Sequence, residues 1–539
     1  MGLDFIIQGQ ASRRVSTRHA RVRTPRYSYG VRRFVWGFLL CSGFTTAQPA
    51  IGQNGVVNRA SLIPPTLAGG ALARGAAITI HGVRFGNAPV VSLRSVGVTV
   101  SLRVLASEPE KIEAVVPENA PLGAAALVVG ESKPFPVEVV ASNPGIFARN
   151  KRGWGPGQIE NAKGLPNSPA QPAHPGQRVS MRISGLGKGV PATVMVGNRA
   201  ATAILTRNLA ATGEQELSFT IPADAPVGCY VPVYIKVTPL RASNVVTMAV
   251  ASQSGSCANG PVPLLDARRI GVAVVTRANM LRDNLETTND ETIALFSAKD
   301  DGPALSPLLL LPPPGSCTAY TSSFQATAVM PDSVTSALIA ELPGDGLSAG
   351  SQLTMSRGNE RRTVPGDRGS AGYYRARLGT SRPKTRAAYP LFLEPGELTL
   401  SAPGGLDVGA FRVSFEATPP FEWLGRAELA VVDRGRALPL RWAGQAKDQW
   451  TILLATNVDQ ITTAIGTCLC TAPVNSDHFE IPAALLANIP ASMEIHGIPY
   501  DQLFVASIPA KAARPIQAPG LGAGAVMSIY ANGRFVQYH

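Results

Sequence analysis

The chain has 539 residues, 6% of them aromatic, with 53 glycines and 45 prolines in no fixed period; this excludes collagen-like and coiled-coil architectures and leaves many short strands joined by tight turns. At roughly 100 to 200 residues per domain the length predicts three to five units. The net charge of +13 is concentrated at the N-terminus, where residues 1–47 hold eight arginines and one aspartate, so the remainder carries only +6 and lacks the clustered basic and aromatic residues of a nucleic-acid surface.

Residues 1–47 read as a secretory signal with an over-long basic start. The apolar stretch Phe34 to Phe44 follows Arg32-Arg33 and precedes Thr45-Thr46-Ala47, and it is too short to span a bilayer. Cys41 follows Leu39-Leu40, a bulky context for a lipid acceptor. No other segment approaches the length of a membrane helix, so the mature chain is expected to be secreted or held at the cell surface without a transmembrane span.

The first sandwich is expected over 48–142 and the second over 143–257, because the octet Val116-Pro-Glu-Asn-Ala-Pro-Leu-Gly123 returns as Ile221-Pro-Ala-Asp-Ala-Pro-Val-Gly228. Each copy is preceded by a Gly-bounded strand of alternating apolar residues, Ile78 and Ile80 in one, Val179, Met181 and Ile183 in the other. Alternation of this kind faces one side of a strand toward a core. The octet itself reads as the turn into a late hairpin, with Gly123 and Gly228 supplying backbone freedom. Between the copies, Asn143-Pro-Gly-Ile-Phe and Asn167-Ser-Pro-Ala predict an ordered seam of consecutive turns rather than a free linker.

These motifs carry a resemblance. Asn58-Arg-Ala-Ser, Pro144-Gly-Ile-Phe147, Asn167-Ser-Pro-Ala, Ser184-Gly-Leu-Gly187 and the octet, in that order over residues 55–257, resemble the tandem IPT/TIG-like immunoglobulin repeats of secreted acidobacterial-type proteins. The resemblance implies all-β, tandem immunoglobulin-like sandwiches and export. It transfers no catalytic or binding residues.

Beyond Cys257 the repeat is lost, and two further units are expected, a β-rich domain over 258–418 and a β-sandwich over 419–539. Ile270 to Val275 and Thr292 to Phe296 read as strands, with Met280, Leu281 and Leu285 between them suiting a short helix. Leu438, Leu440 and Trp442, then Trp450, Ile452 and Leu454, alternate across a short connection and predict a hairpin whose tryptophans face a core.

With Cys41 removed, five cysteines remain. Cys229 and Cys257 sit at the ends of neighbouring expected strands and form the favoured disulfide; Cys317 with Cys468 or Cys470 is a weaker pairing. Gly185-Leu-Gly-Lys-Gly189 lacks the second half of a phosphate loop and reads as a turn. Asp290, Glu291, Asp300 and Asp301 lack the spacing of a calcium loop. The six histidines form no metalloprotease pair, no nucleophile elbow appears, and no catalytic, cofactor or metal residue is assigned. Trp154, Tyr373, Tyr374 and Trp423 are the candidate ligand contacts, as aromatics that an exposed platform for sugar would use. The expected function is non-enzymatic recognition of an extracellular glycan or protein. An extracellular hydrolase with its site in 264–539 and a structural spacer are the alternatives.

Overall fold

The computed structural model describes residues 48–252, 255–257, 267–298, 307–323, 333–339, 344–367, 369–382, 389–493, 501–510 and 513–539. The expected signal over 1–47 lies outside them. The fold is all-β, and no helix among the described residues is long and apolar enough to cross a membrane.

The first sandwich pairs a sheet of Ala50–Asn58, Ala77–Val83, Lys111–Val115 and Arg103–Glu108 with one of Leu72–Ala73, Phe135–Val140, Gly123–Val129, Val91–Ser95 and Val98–Ser101. The alternation read from sequence is what fills it: Ile78 and Ile80 are fully buried against Leu93, Ile112 and Leu127. The second sandwich repeats the plan around Val179, Met181 and Ile183. One difference matters. Strand Arg199–Leu209 pairs first with Thr193–Val196 and then with Glu214–Thr220, crossing between layers. In the first sandwich the corresponding stretch breaks at Leu102, which is buried and whose N–H donates to the Val91 carbonyl.

The octet makes the same turn twice, with Ala120 N–H on the Pro117 carbonyl and Ala225 N–H on the Pro222 carbonyl, both at 3.1 Å. Its glycines do different things. Gly123 has φ +99°, a conformation glycine adopts without cost. Gly228 has no such φ, so the expectation of backbone freedom fails there; a methyl group at Gly228 would lie 3.3 Å from Cβ of Pro313, and the lack of a side chain admits a neighbouring segment.

Four buried asparagines hold the seam. Asn58 Nδ2 donates to the carbonyls of Asn143 and Ser184, while its Oδ1 accepts from Ala60 N–H at 2.9 Å. Asn143 Nδ2 donates to Gly69 and Ala71, and Asn167 bonds the N–H and C=O of Ala249. Asn244 accepts from Ile146 N–H at 2.7 Å and donates to the Ile146 and Gly153 carbonyls. Gly145 is required because any Cβ would meet Asn58 Oδ1 and Ser61 N at 2.7 Å. Arg59 adds ion pairs to Glu113 and Glu214, one from each sandwich.

Residues 258–418 and 419–539 share one sheet. Its order is Ser316–Ser323, Ala464–Thr471, Gln449–Val458, Asp501–Pro509, Ala523–Tyr538, Arg269–Arg282, Leu285–Ala298, so four strands of 419–539 lie between strands of 258–418. Arg269–Arg282 and Ala523–Tyr538 run parallel through twelve paired residues, from Ile270 with Ala523 to Leu281 with Arg534. The expected helix at 277–290 is instead a tight hairpin: Arg282 pairs with Leu285 across Asp283-Asn284, and Asp283 takes φ +53°, which aspartate tolerates. The expected tryptophan hairpin is also corrected. Leu438–Ala443 belongs to a three-stranded sheet with Glu422–Leu424 and His478–Ile481, whereas Gln449–Val458 lies in the large sheet. Trp442 is buried between these layers, and the half-buried Trp450 packs on the large sheet's opposite face.

One face of the large sheet buries Val272, Val274, Leu454, Phe504 and Met527 beneath Leu308 to Leu311 and the short helix Val334–Leu338. The other face is covered in two places, by the three-stranded sheet and by a four-stranded one of Glu360–Pro365, Gln352–Arg357, Glu397–Ala402 and Phe411–Glu416. The second sandwich joins this body through Tyr234, Ala242 and Val245, and Trp154 stands edge-on to Tyr320 at 5.0 Å. Asn54 of the first sandwich donates to the Thr462 carbonyl.

Disulfides Cys229–Cys257 and Cys317–Cys470 are formed, and Cys468 is a buried free thiol that burial holds well above its ordinary pKa. The closed loops span 28 and 153 residues. Chain-entropy estimates give about 3.5 and about 5 kcal/mol respectively. Replacing Cys317 and Cys470 together by alanine is therefore expected to lower Tm more than replacing Cys229 and Cys257, as read by calorimetry without reductant. Asn244→Ala leaves three buried backbone groups unpaired and is expected to cost about 2 to 4 kcal/mol in urea denaturation.

Candidate recognition surface

The four candidate aromatics do not form a platform. Tyr373 and Tyr374 are consecutive in a strand and must face opposite sides: Tyr373 packs on one core, while Tyr374 is 2% exposed in another, its hydroxyl accepting from Ala349 N–H and donating to the Gly350 carbonyl, both at 2.8 Å. Trp423 is buried opposite Trp442 across two strands of the three-stranded sheet, and Trp154 is half-buried against Tyr320. The exposed aromatic that sequence reasoning missed is Tyr389, 54% exposed with the Arg362 guanidinium 4.2 Å above its ring. Its neighbour Pro390 was a turn signal that could have marked it for a loop.

Several acids of the C-terminal body are engaged by arginines, whereas the buried Asp501 accepts from Ser492 Oγ and burial pushes its carboxyl up to about 7. Asp290 has no exposed surface; Arg277 grips it through Nε at 2.8 Å and Nη2 at 2.9 Å, and the N–H groups of Phe392 and Leu393 donate to it at 2.5 and 2.8 Å. Burial works against the Arg277 charge, but its bonds and attraction to Asp290 and then Glu394 outweigh that and raise its pKa above the ordinary value. Glu291 pairs with Arg375 and accepts from Ser333 Oγ, and Glu286 pairs with Arg426. Asp300 and Asp301 of the expected acidic group lie outside the described residues. Gly185 to Gly189 is a seam turn with Gly185, Gly187 and Gly189 at positive φ. Asp290→Ala would leave Arg277 and two N–H groups without their buried partner; a loss of about 3 to 5 kcal/mol is expected in chemical denaturation.

The repeat exposes a difference between the two sandwiches at one end. In the second sandwich, strands Thr193–Val196 and Arg199–Leu209 turn through Gly197-Asn198, and the octet's Pro226-Val227-Gly228 lies beside that tip, a methyl at Gly197 falling 2.4 Å from Pro226 Cγ. This end is docked. Asn198 Nδ2 donates to the Gly315 carbonyl at 2.5 Å, and Gly228 meets Pro313.

In the first sandwich the matching hairpin turns through Val96-Gly97, and the matching octet residues are Pro121-Leu122-Gly123. Ser95 Oγ donates to the Ala124 carbonyl and ties the tip to the octet strand. Nothing covers this end among the described residues. Val96 is 99% exposed, Leu122 52% and Val98 47%, and a methyl at Gly97 or Gly123 would meet no atom within 4 Å. Three aliphatic side chains are therefore exposed at this end, near Ser95 and the Arg74 guanidinium that donates to the Ala120 carbonyl, and exposed aliphatic surface favours burial against another apolar surface.

No family model matches the chain, and no curated protein sequence does. Among solved structures, SGBP-B of the Bacteroides ovatus mixed-linkage glucan utilization locus, in complex with a mixed-linkage heptasaccharide, is similar at 11% identity over 77% of this chain and 85% of its own, with a TM-score of 0.14. A structure with a xylogluco-oligosaccharide is similar at 10% identity over 82% of this chain and 90% of its own, with a TM-score of 0.15. The mouse nectin-like molecule 4 ectodomain, Ig1 to Ig3, is similar at 10% identity over 64% and 95%, with a TM-score of 0.13. The chain is thus similar at low identity to surface glycan-binding proteins and immunoglobulin-like ectodomains. TM-scores this low carry no argument about the site, which rests on its own geometry.

Proposed function

We propose that this chain is a non-catalytic recognition protein, secreted or held at the cell surface, that binds a protein partner through the free end of its first sandwich. The observation that carries this reading is the contrast between the two copies: the end that docks in the second sandwich is bare and aliphatic in the first. A protein partner fits better than a glycan, because sugar recognition draws on aromatic faces and hydrogen-bonding side chains, and Val96, Val98 and Leu122 provide neither. Two disulfides favour an oxidising compartment. The ion pairs of Asp290, Glu291 and Glu286 support a structural role for those acids. Assignment to IPT/TIG-like repeats, carried by the motifs of residues 55–257, belongs to the same proposal.

The test is capture of cell-surface and secreted proteins by the mature chain, run beside Val96→Asp/Leu122→Asp and beside a glycan array. Both side chains are largely solvent-exposed, so the double variant is expected to fold with unchanged Tm. A partner retained by the parent chain and reduced at least tenfold by the variant is the expected result. Glycan binding that the double substitution leaves intact would overturn it.

A further inference from the structure

The positive charge of the chain beyond residue 47 is gathered in one place. Residues 355–390 hold nine lysines and arginines against two acids, a net of +7, whereas residues 48–539 carry +6 in all. In the sequence, Pro365, Gly366, Asp367, Gly369 and Gly372 break this run. The fold closes the gap by laying Glu360–Pro365 beside Tyr373–Thr380. Gly366 bridges Tyr374, and the same alignment puts Arg362 opposite Leu378, whose carbonyl accepts from Arg362 Nε at 3.1 Å. Val364, Tyr374 and Leu378 turn inward and are buried, while Arg361, Thr363 and Arg377 turn outward and are exposed. Thr363 falls opposite Arg377, so Arg361 and Arg377 are diagonal neighbours at about 7 to 8 Å.

The buried Arg362 supports a tyrosine from beneath. Its guanidinium pairs with Glu360 and stands 4.2 Å from the centre of the exposed Tyr389 ring, and Thr380 N–H donates to the Tyr389 carbonyl. The nearby acids are already engaged: Glu360 by Arg357 and Arg362, Glu291 by Arg375, and Asp367 by the Gly369 N–H. The guanidinium groups of Arg361, Arg377 and Arg382 and the hydroxyl of Tyr389 bond to no protein group among the described residues. Cations held this close repel one another, and an anionic partner removes that cost while adding attraction.

We infer that this ridge binds an acidic, extended segment of a partner protein, at a surface separate from the end of the first sandwich. Alternate side chains of an extended chain share one face about 6.6 to 6.8 Å apart, close to the spacing of Arg361 and Arg377. Each carboxylate then meets a guanidinium through two parallel hydrogen bonds, and the Tyr389 hydroxyl donates to a third. A nucleic acid or an acidic polysaccharide fits less well, because bases and sugar rings stack on successive aromatic faces and this ridge offers one face of Tyr389.

The probe is a fluorescein-labelled decapeptide of alternating glutamate and threonine, titrated into the full mature chain and followed by anisotropy, with the glutamine-threonine peptide as control. Saturable binding that weakens between about 50 and about 300 mM salt is expected, and none with the control. Arg361→Glu/Arg377→Glu is expected to weaken it about tenfold or more at unchanged Tm. Tyr389→Phe, which keeps the ring on Arg362, is expected to weaken it about threefold. Arg412 is exposed on the far edge strand of the four-stranded sheet, so Arg412→Glu changes the net charge as Arg361→Glu does and is expected to leave binding intact. Absence of saturable binding overturns the inference, as does an equal loss in Arg412→Glu and Arg361→Glu, or displacement of the peptide by an oligonucleotide or oligogalacturonate at lower concentration than by unlabelled peptide. Val96→Asp/Leu122→Asp is expected to leave peptide binding unchanged, so failure of this inference and failure of the first-sandwich reading are told apart.

Discussion

The seam between the two sandwiches exists because buried asparagine amides replace the hydrogen bonds that Gly- and Pro-rich backbone cannot make for itself. A run such as Asn143-Pro-Gly-Ile-Phe forms no extended ladder, and its N–H and C=O groups lie inside the molecule. Unpaired, each would cost about 1 to 3 kcal/mol. Asn58, Asn143, Asn167 and Asn244 instead bridge loop backbone to strand backbone. An asparagine side chain suits this because it offers a donor and an acceptor at the geometry of a peptide group. The sandwiches are consequently fixed to one another, which lets loops at their far ends keep a defined position.

The C-terminal body meets the same requirement by different means. Its first strand, Arg269–Arg282, lies beside its last, Ala523–Tyr538, and parallel neighbours in one sheet need a long connection between them. Here nearly the whole half of the chain is that connection. Two smaller sheets arise within it and cover one face, so the large sheet has almost no wet side. A polar group on that sheet must then find a partner inside, and Asp290 does so with four bonds from Arg277, Phe392 and Leu393. The Phe392 and Leu393 N–H groups on Asp290, and Glu394 on Arg277, link this hairpin to the segment that leads into the four-stranded sheet.

What was legible in the sequence was short-range. Ile78 with Ile80, and Val179 with Met181 and Ile183, reveal a buried strand face because strand periodicity is local. The octet is legible because it recurs. Cys229 and Cys257 end neighbouring strands of one sandwich, so their pairing follows from adjacency. The misreadings share a cause: they depended on which distant segment lies alongside. Met280, Leu281 and Leu285 have spacing that a helix or a hairpin satisfies equally, and the register with Ala523–Tyr538 decides for the strand. Trp442 and Trp450 alternate as a hairpin would, yet each is claimed by a different sheet. The sequence left Cys317 open to Cys468 or Cys470, and the pairing with Cys470 follows from the register of Ser316–Ser323 with a strand some 150 residues later. Tyr373 and Tyr374 looked like a platform, but neighbouring strand residues cannot share a face.

Duplication explains why the recognition surface was invisible before the fold was known. Val96 and Leu122 are ordinary aliphatics in a strand-rich sequence, and most such residues are core. Only the strand pairing shows that Val96 sits at a hairpin tip beside the octet strand, and that the hairpin tip of the second copy is already an interface. In the second sandwich the tip is held to glycine at 197 by the space beside Pro226, and Asn198 bonds the Gly315 carbonyl. Among the described residues the first copy meets no such neighbour. Its tip is free to carry side chains there, and exposed aliphatic groups at this position gain free energy only when something covers them.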